Sequence, residues 1–194
     1  MDSESVLPTP SMQCQAEPAA DSPPFDPLEG LAATYFQLEG YITSSNKWFW
    51  VWEPGKQQRG YQDIDVLAVN GSETVVASVT GNLDDKVRRT AAREINLGMV
   101  HRLSSYFDRC FHYLETIPDY RWLVAPPRRL RRVVVYASGQ GLADSIAPHL
   151  VEHRIELLDA RKLMTVVQSK VRAQAHIRTN NQILKLIQLL PRSA

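Results

Sequence analysis

The sequence predicts an α/β domain built on a mixed sheet with helices on both faces. Three observations predict it. An opening helical pattern is followed closely by three stretches of strand-like alternation. The dipeptide Asn70-Gly71 is a tight-turn signal, and strands joined so closely must be antiparallel neighbours. The later strands alternate with helical patterns, which favours parallel pairing. The predicted order is α-β-β-β-α-β-α-β-α.

The first 27 residues stand apart. They contain Pro8, Pro10, Pro18, Pro23, Pro24 and Pro27, five acids and no Lys or Arg. With few large apolar side chains, such a segment cannot offset the entropy of ordering it. Residues 1–27 are therefore expected to be a disordered acidic tail, and 28–194 a single domain. The chain's 44% hydrophobic and 22% charged residues are ordinary for a globular protein.

Each element has its own signal. Leu28, Leu31, Ala32, Tyr35, Phe36 and Leu38 recur at helical spacing, and Gly40 marks the stop. In YITSSNKWFWVWEP, Trp48, Trp50 and Trp52 alternate with Phe49 and Val51, so the two sets take opposite strand faces. Residues 61–69 and 74–79 read as the next two strands. A long helix is expected after Gly81, capped by Asn82 or Asp84. Its apolar stripe is Val87, Ala91, Ile95, Met99, Leu103, Phe107, Cys110 and Leu114. Beyond the linker PDYRWLVAPPRRL, residues 132–138 are β-branched and apolar, as in a buried strand. A turn at 139–141, a helix at 142–153, a strand at 155–158 and helices at 162–175 and 183–190 complete the pattern.

Charge is unevenly spread. Residues 1–119 carry 9 Lys/Arg against 17 Asp/Glu, net −8, and residues 120–194 carry 13 against 4, net +9, which together give the chain's +1. The basic part suits contact with a polyanion; alternatively the two parts neutralise one another by packing together. No apolar run approaches the ~18 residues of a membrane span, and no signal peptide is evident. Cys14 and Cys110 are expected to be free thiols in a reducing cytoplasm. His149 and His153 are four apart on a helix but lack an evident third ligand. The Trp-rich strand is a candidate for base stacking. Ser138-Gly-Gln-Gly141 lacks the full glycine pattern of a phosphate loop and reads as a turn.

The helix LEGLAATYFQLEGY, the strand DIDVLAV, the turn and strand SETVVASVTG and the later VVVYASG resemble the restriction-endonuclease-like, or PD-(D/E)XK, nuclease superfamily over roughly residues 28–160. The resemblance implies an αβββαβ core with C-terminal α/β additions. In that family a carboxylate near the start of the second core strand and an acid on the third hold magnesium. A lysine two residues after that acid helps activate water or steady the reacting oxygens. By match, Asp65 is the first ligand, Ser78 stands where the second acid belongs, and Thr80 stands where the lysine belongs.

That departure bears on chemistry. Phosphodiester hydrolysis needs charge stabilised on phosphoryl oxygens and a water activated near neutral pH, and a divalent metal supplies both. Magnesium prefers carboxylate oxygens in octahedral geometry. Ser78 adds no charge, and Thr80 is neither a cation nor a useful acid. Migrated residues are the means of rescue: Asp63 as a second ligand, Glu29 or Glu39 from the first helix, and Lys86 folding back toward Asp65. Nucleic-acid contact would fall on Lys86, Arg88, Arg89 and Arg93, and on Arg128, Arg129, Arg131 and Arg132.

The leading expectation is a nuclease-fold protein with an inactive site and no cofactor, acting as a nucleic-acid-binding or partner-binding module, with DNA or a protein as the partner. One alternative is an active DNA endonuclease using Mg²⁺ through migrated residues. Another is a protein-interaction domain that touches no nucleic acid. No membrane partner is expected.

Overall fold

The structure is a computed structural model and describes residues 26–51, 60–88 and 94–173. The expected tail up to residue 25, Arg89, Arg93, Trp52, Cys14 and the expected 183–190 helix lie outside the described residues.

Helix α1, Pro27–Leu38, begins where local chemistry dictates. The Asp26 carboxylate accepts the N–H groups of Leu28 at 2.7 Å and Glu29 at 3.4 Å, and proline opens the first turn. It ends at Glu39, and Gly40 follows with φ +87°, where a side chain would be strained. Strands β1 (Ile42–Val51), β2 (Gly60–Val69) and β3 (Glu73–Asn82) pair antiparallel, β1 with β2 and β2 with β3. Strand β4, Arg129–Ser138, joins β3 in parallel, and β5, Ile155–Asp159, joins β4 in parallel. The five-stranded sheet has the order β1-β2-β3-β4-β5 and is mixed, as the sequence predicts.

Helices cover both faces. On one, α2 (Leu97–Thr116) and α3 (Gln140–Glu152) pack Val100, Leu103, Phe107, Cys110, Leu142 and Ile146 against the sheet. On the other, α1 and α4 (Ala160–Ala173) pack Leu31, Phe36, Leu163 and Val167 against Val66, Ala68, Val75, Ala77, Val133 and Val135. Removing a large apolar side chain such as Phe107 from water contributes about 2–3 kcal/mol, so the two layers together hold the sheet. Among the described residues no helix is long and apolar enough to cross a membrane.

The helix expected after Gly81 is corrected. The Asn82 side chain accepts the Asp84 N–H at 3.1 Å and starts only a single 3-10 turn, Leu83–Asp85. The long helix begins at Leu97, where the Asn96 side chain accepts the Met99 N–H at 3.3 Å. Val87 and Ile95 reach the same apolar cluster without being helical, so tertiary burial extends the stripe beyond the helix that makes its centre.

The hairpin also differs in detail. A two-residue turn of the type that Asn-Gly favours needs left-handed backbone. Gly71 does not take it. Instead the Asn70 carboxamide accepts the N–H groups of Ser72 at 2.9 Å and Glu73 at 2.8 Å, and Asn70 N–H donates to the Glu73 carbonyl. A side chain thus closes the loop. The expected turn at 139–141 is largely helix, since α3 begins at Gln140. Gly139 alone makes the bend, with φ +100°, and a Cβ there would lie 3.0 Å from Leu83 Cβ.

Candidate functional site at the Asp65 end of the sheet

The β2–β3 register pairs Val66 with Ala77 and sets Asp65 beside Ser78 as the strands separate. Asp65 and Ser78 meet here. Asp65 Oδ2 accepts the Val79 backbone N–H at 2.5 Å and the Ser78 hydroxyl at 3.3 Å. Asp65 is only 9% exposed. Burial pushes its pKa up, while the Val79 N–H, the nearby Lys86 charge and the Ser78 hydroxyl pull it down. Lys86 ends the 3-10 turn after β3, so the local turn, not a long helix, brings its cation toward Asp65.

On the other side of β2, the paired residues Ser45–Val66 and Lys47–Ile64 flank Asn46 and Asp65. Asn46 has φ +54°, a left-handed conformation within a strand. Ile64 and Leu67 pack with α2, whereas Val66 and Ala68 pack with α1 and α4. Strict alternation would keep Ile64 with Val66, so β2 turns over at Asp65. That twist presents Asp65 to groups on both layers. Tyr106 of α2 donates its hydroxyl to the Asp63 carbonyl at 3.0 Å, and burial, with Cys110, Asp65 and Asp63 nearby, pushes its pKa up.

Glu29, in the first turn of α1, belongs to the same neighbourhood. Its carboxyl is raised to about 7, first by burial and then by the charges of Asp65, Asp26 and Asp63, with a hydrogen bond from the Asn46 side chain opposing. Glu39, the other helix candidate, is at the far end of α1 and pairs with Lys170 at 2.7 Å. Thr80 turns aside: its hydroxyl donates to the Asn82 carbonyl at 2.8 Å and accepts the Asn82 N–H at 3.3 Å.

These donors do not fit a magnesium ion. One Asp65 oxygen is committed to the strand, and Ser78 and Thr80 supply no charge. Among the described residues no group of three or more His, Cys, Asp or Glu is placed to hold a metal. His101 lies edge-on to His153 at 5.2 Å between ring centres, a contact the sequence did not signal because it joins α2 to the end of α3.

The arginines of β4 lie elsewhere. Arg129 pairs with Glu73 and Val134 with Ser78, so five residues, roughly 16 Å of strand, separate this end from Asp65. Arg128 wraps the hairpin turn. It donates to the carbonyls of Asn70, Gly71 at 3.4 Å and Glu73 at 2.9 Å, and to the Thr74 hydroxyl at 3.2 Å, and its guanidinium lies 5.4 Å from the Trp122 ring centre. Arg131 donates through two nitrogens to the Glu156 carboxylate at 2.9 and 2.6 Å, and also reaches Glu73 and the Tyr41 oxygen. Arg132 donates to Asp108 at 2.7 Å.

The charge asymmetry is therefore partly spent inside the fold. Glu73 with Arg129 and Arg131, Asp108 with Arg132, and Glu39 with Lys170 each join the acidic half to the basic half. What faces solvent is a cleft of about 630 Å³ lined by Arg128, Arg129, Arg131, Arg154 and Glu156 together with the apolar Leu130, Val151 and Ile155. The Arg129 side chain is 71% exposed. Arg154 escaped the sequence reading, because a single basic residue before a strand carries no pattern; the turn after α3, at φ +56°, delivers it to the cleft. Lys86, with Arg88 two residues on, stays near Asp65, so among the described residues the predicted contact residues fall in two groups.

Of the Trp-rich strand, Phe49 is buried at 5% and Trp48 is 54% exposed, as their opposite faces require. Cys110 is buried and its thiol is pushed up to about 12, chiefly by burial, so it is not a nucleophile at neutral pH. Comparison with protein-family models, with curated proteins and with solved structures gives no match to this chain.

Proposed function

We propose that this chain is a nuclease-like domain of the restriction-endonuclease type that no longer hydrolyses phosphodiesters and acts by binding nucleic acid through phosphate contacts. The observation that carries the reading is the state of Asp65. A catalytic ligand must offer its oxygens to a metal and a phosphate. Here the carboxylate is buried and accepts a backbone N–H and a hydroxyl from β3, so it holds two strands together. The cleft at the start of β4 supports phosphate as the ligand chemistry, since Arg129 and Arg154 are exposed there beside Arg131, which Glu73 and Glu156 fix in place. Guanidinium groups held in place suit phosphate oxygens.

The test pairs two assays. Linear, supercoiled, branched and single-stranded DNA, and RNA, are incubated with Mg²⁺ or Mn²⁺; no cleavage is expected. Cleavage that disappears in Asp65→Ala would overturn the reading in favour of a working metal site. Fluorescence anisotropy of labelled duplex across a salt series should show non-specific binding, with a log–log slope of about −0.9 per phosphate neutralised. Absence of binding at low salt would leave a protein-interaction domain as the better description.

A further inference from the structure

Strand β5 starts short of its neighbour. The β4–β5 ladder begins only at Arg132 with Ile155, so β5 does not reach the level of Leu130. The Arg129 N–H donates to the Ser72 carbonyl, beside β3, at 2.9 Å. Backbone groups alternate along a strand, so the Leu130 N–H points the other way, into the place that β5 leaves open. The chain enters β5 through Arg154, whose φ of +56° lies in the left-handed region that glycine fills at little cost. Backbone strain of this kind clusters at ligand sites. Arg154 is exposed, and among the described residues no carboxylate or hydrogen-bond acceptor meets its guanidinium. Arg129 is also exposed and reaches Glu73 at 3.4 Å. Two apolar side chains on the same cleft stand in solvent: Leu130 is 40% exposed and Val151 71%.

We propose, resting on the nucleic-acid reading above and narrowing it, that this cleft takes the phosphorylated end of a strand. The Leu130 N–H and the guanidiniums of Arg129 and Arg154 are donors on one concavity, and Arg154 lacks an internal acceptor. A terminal phosphate suits them better than one inside a strand. It carries about −1.5 to −2 charge near pH 7 and three free oxygens, whereas an internal phosphodiester carries a single charge. The cleft of about 630 Å³ lies in the range that encloses small ligands, roughly 300–1,000 Å³, so it holds a terminal nucleotide and excludes a duplex. Leu130 and Val151 give that nucleotide's base or sugar an apolar face. A peptide's terminal carboxylate has a single charge and would leave one guanidinium unanswered.

The test uses the full chain and short single strands of one sequence, labelled at the far end and carrying a 5′-phosphate, a 3′-phosphate or hydroxyls only. One phosphorylated strand should bind about tenfold more tightly than the hydroxyl strand in an anisotropy titration. All three share the same internal phosphates, so equal binding would overturn the proposal and leave the nucleic-acid reading standing. No binding of any strand at low salt would overturn both. The deciding variant is Arg154→Gly, because glycine accepts the left-handed backbone and the fold should keep its circular-dichroism spectrum. In it the preference for the phosphorylated end should fall below about twofold while the hydroxyl strand still binds. A preference that survives there would overturn the proposal. So would displacement of the phosphorylated strand by a peptide ending in a free Leu-Val carboxylate but not by its amide, which would indicate a protein terminus as the occupant.

Discussion

The Asp65 carboxylate accepts the Val79 backbone N–H at 2.5 Å, just beyond the last regular β2–β3 pair, Val66 with Ala77. A side chain thus extends the strand contact where the ladder ends. This role needs an acceptor and not a metal ligand.

Asp65→Ala should therefore destabilise the protein by about 3 kcal/mol, because it leaves the Val79 N–H and the Ser78 hydroxyl without their acceptor in a buried place. Asp65→Asn keeps an oxygen for the Val79 N–H and should lose only about 1 kcal/mol. Urea denaturation with and without Mg²⁺ checks both. A loss that appears only with magnesium would contradict the structural role.

Glu29 makes stability depend on pH. Its folded carboxyl keeps a proton up to about 7, against an ordinary 4.5, so between these values the folded state binds more protons than the unfolded one. Stability from this group is then greatest at low pH and falls as pH rises through that window. Glu29→Gln should match the wild type near pH 4.5 and exceed it near pH 7.5. The gain should be on the order of 1 kcal/mol, allowing for solvent screening of a partly exposed group. Urea midpoints across pH 4.5–7.5 would show it, and parallel curves for the two proteins would refute it.

The arginines at the start of β4 should divide by role. Arg131→Ala should cost about 2 kcal/mol, since it leaves Glu73 and Glu156 without their shared partner. Arg129→Ala should change stability by less than about 0.5 kcal/mol. Combined with Arg154→Ala, it should nonetheless weaken DNA binding and lower the salt slope by up to about 2. Thermal unfolding and anisotropy on the same proteins separate the two effects.

Two glycines make a paired test of the turns. Gly139→Ala should destabilise by about 1–3 kcal/mol, through its left-handed φ and the 3.0 Å approach to Leu83 Cβ. Gly71→Ala should be neutral or slightly stabilising, because no heavy atom would lie within 4 Å of the new methyl and the backbone is not left-handed. Equal losses at both sites would show that the hairpin depends on Gly71 after all.

Much of the fold is legible in local pattern. Alternation at 61–69, the apolar run at 132–138 and the helical spacing from Leu28 each reflect a side chain's own need to be buried on one face, which a single segment records. The neighbourhood of Asp65 and Ser78 was legible for the same reason, since a closed hairpin sets which residues face each other. Other features depend on partners distant in sequence. Val87 and Ile95 fit a helical stripe, yet Val87 is buried and Ile95 partly buried in the cluster around α2 without being part of that helix, while Asn82 and Asn96 decide where helix actually starts. Glu29 acquires its shifted acidity only when folding buries it and brings it near Asp65, Asp26 and Asp63. The arginine run looks like one free basic patch until Glu73, Asp108 and Glu156 arrive from other elements and neutralise most of it. Periodicity reports what each residue must bury; which charges meet, and so which remain for a ligand, is settled only when the sheet and its helices bring them within a few ångströms.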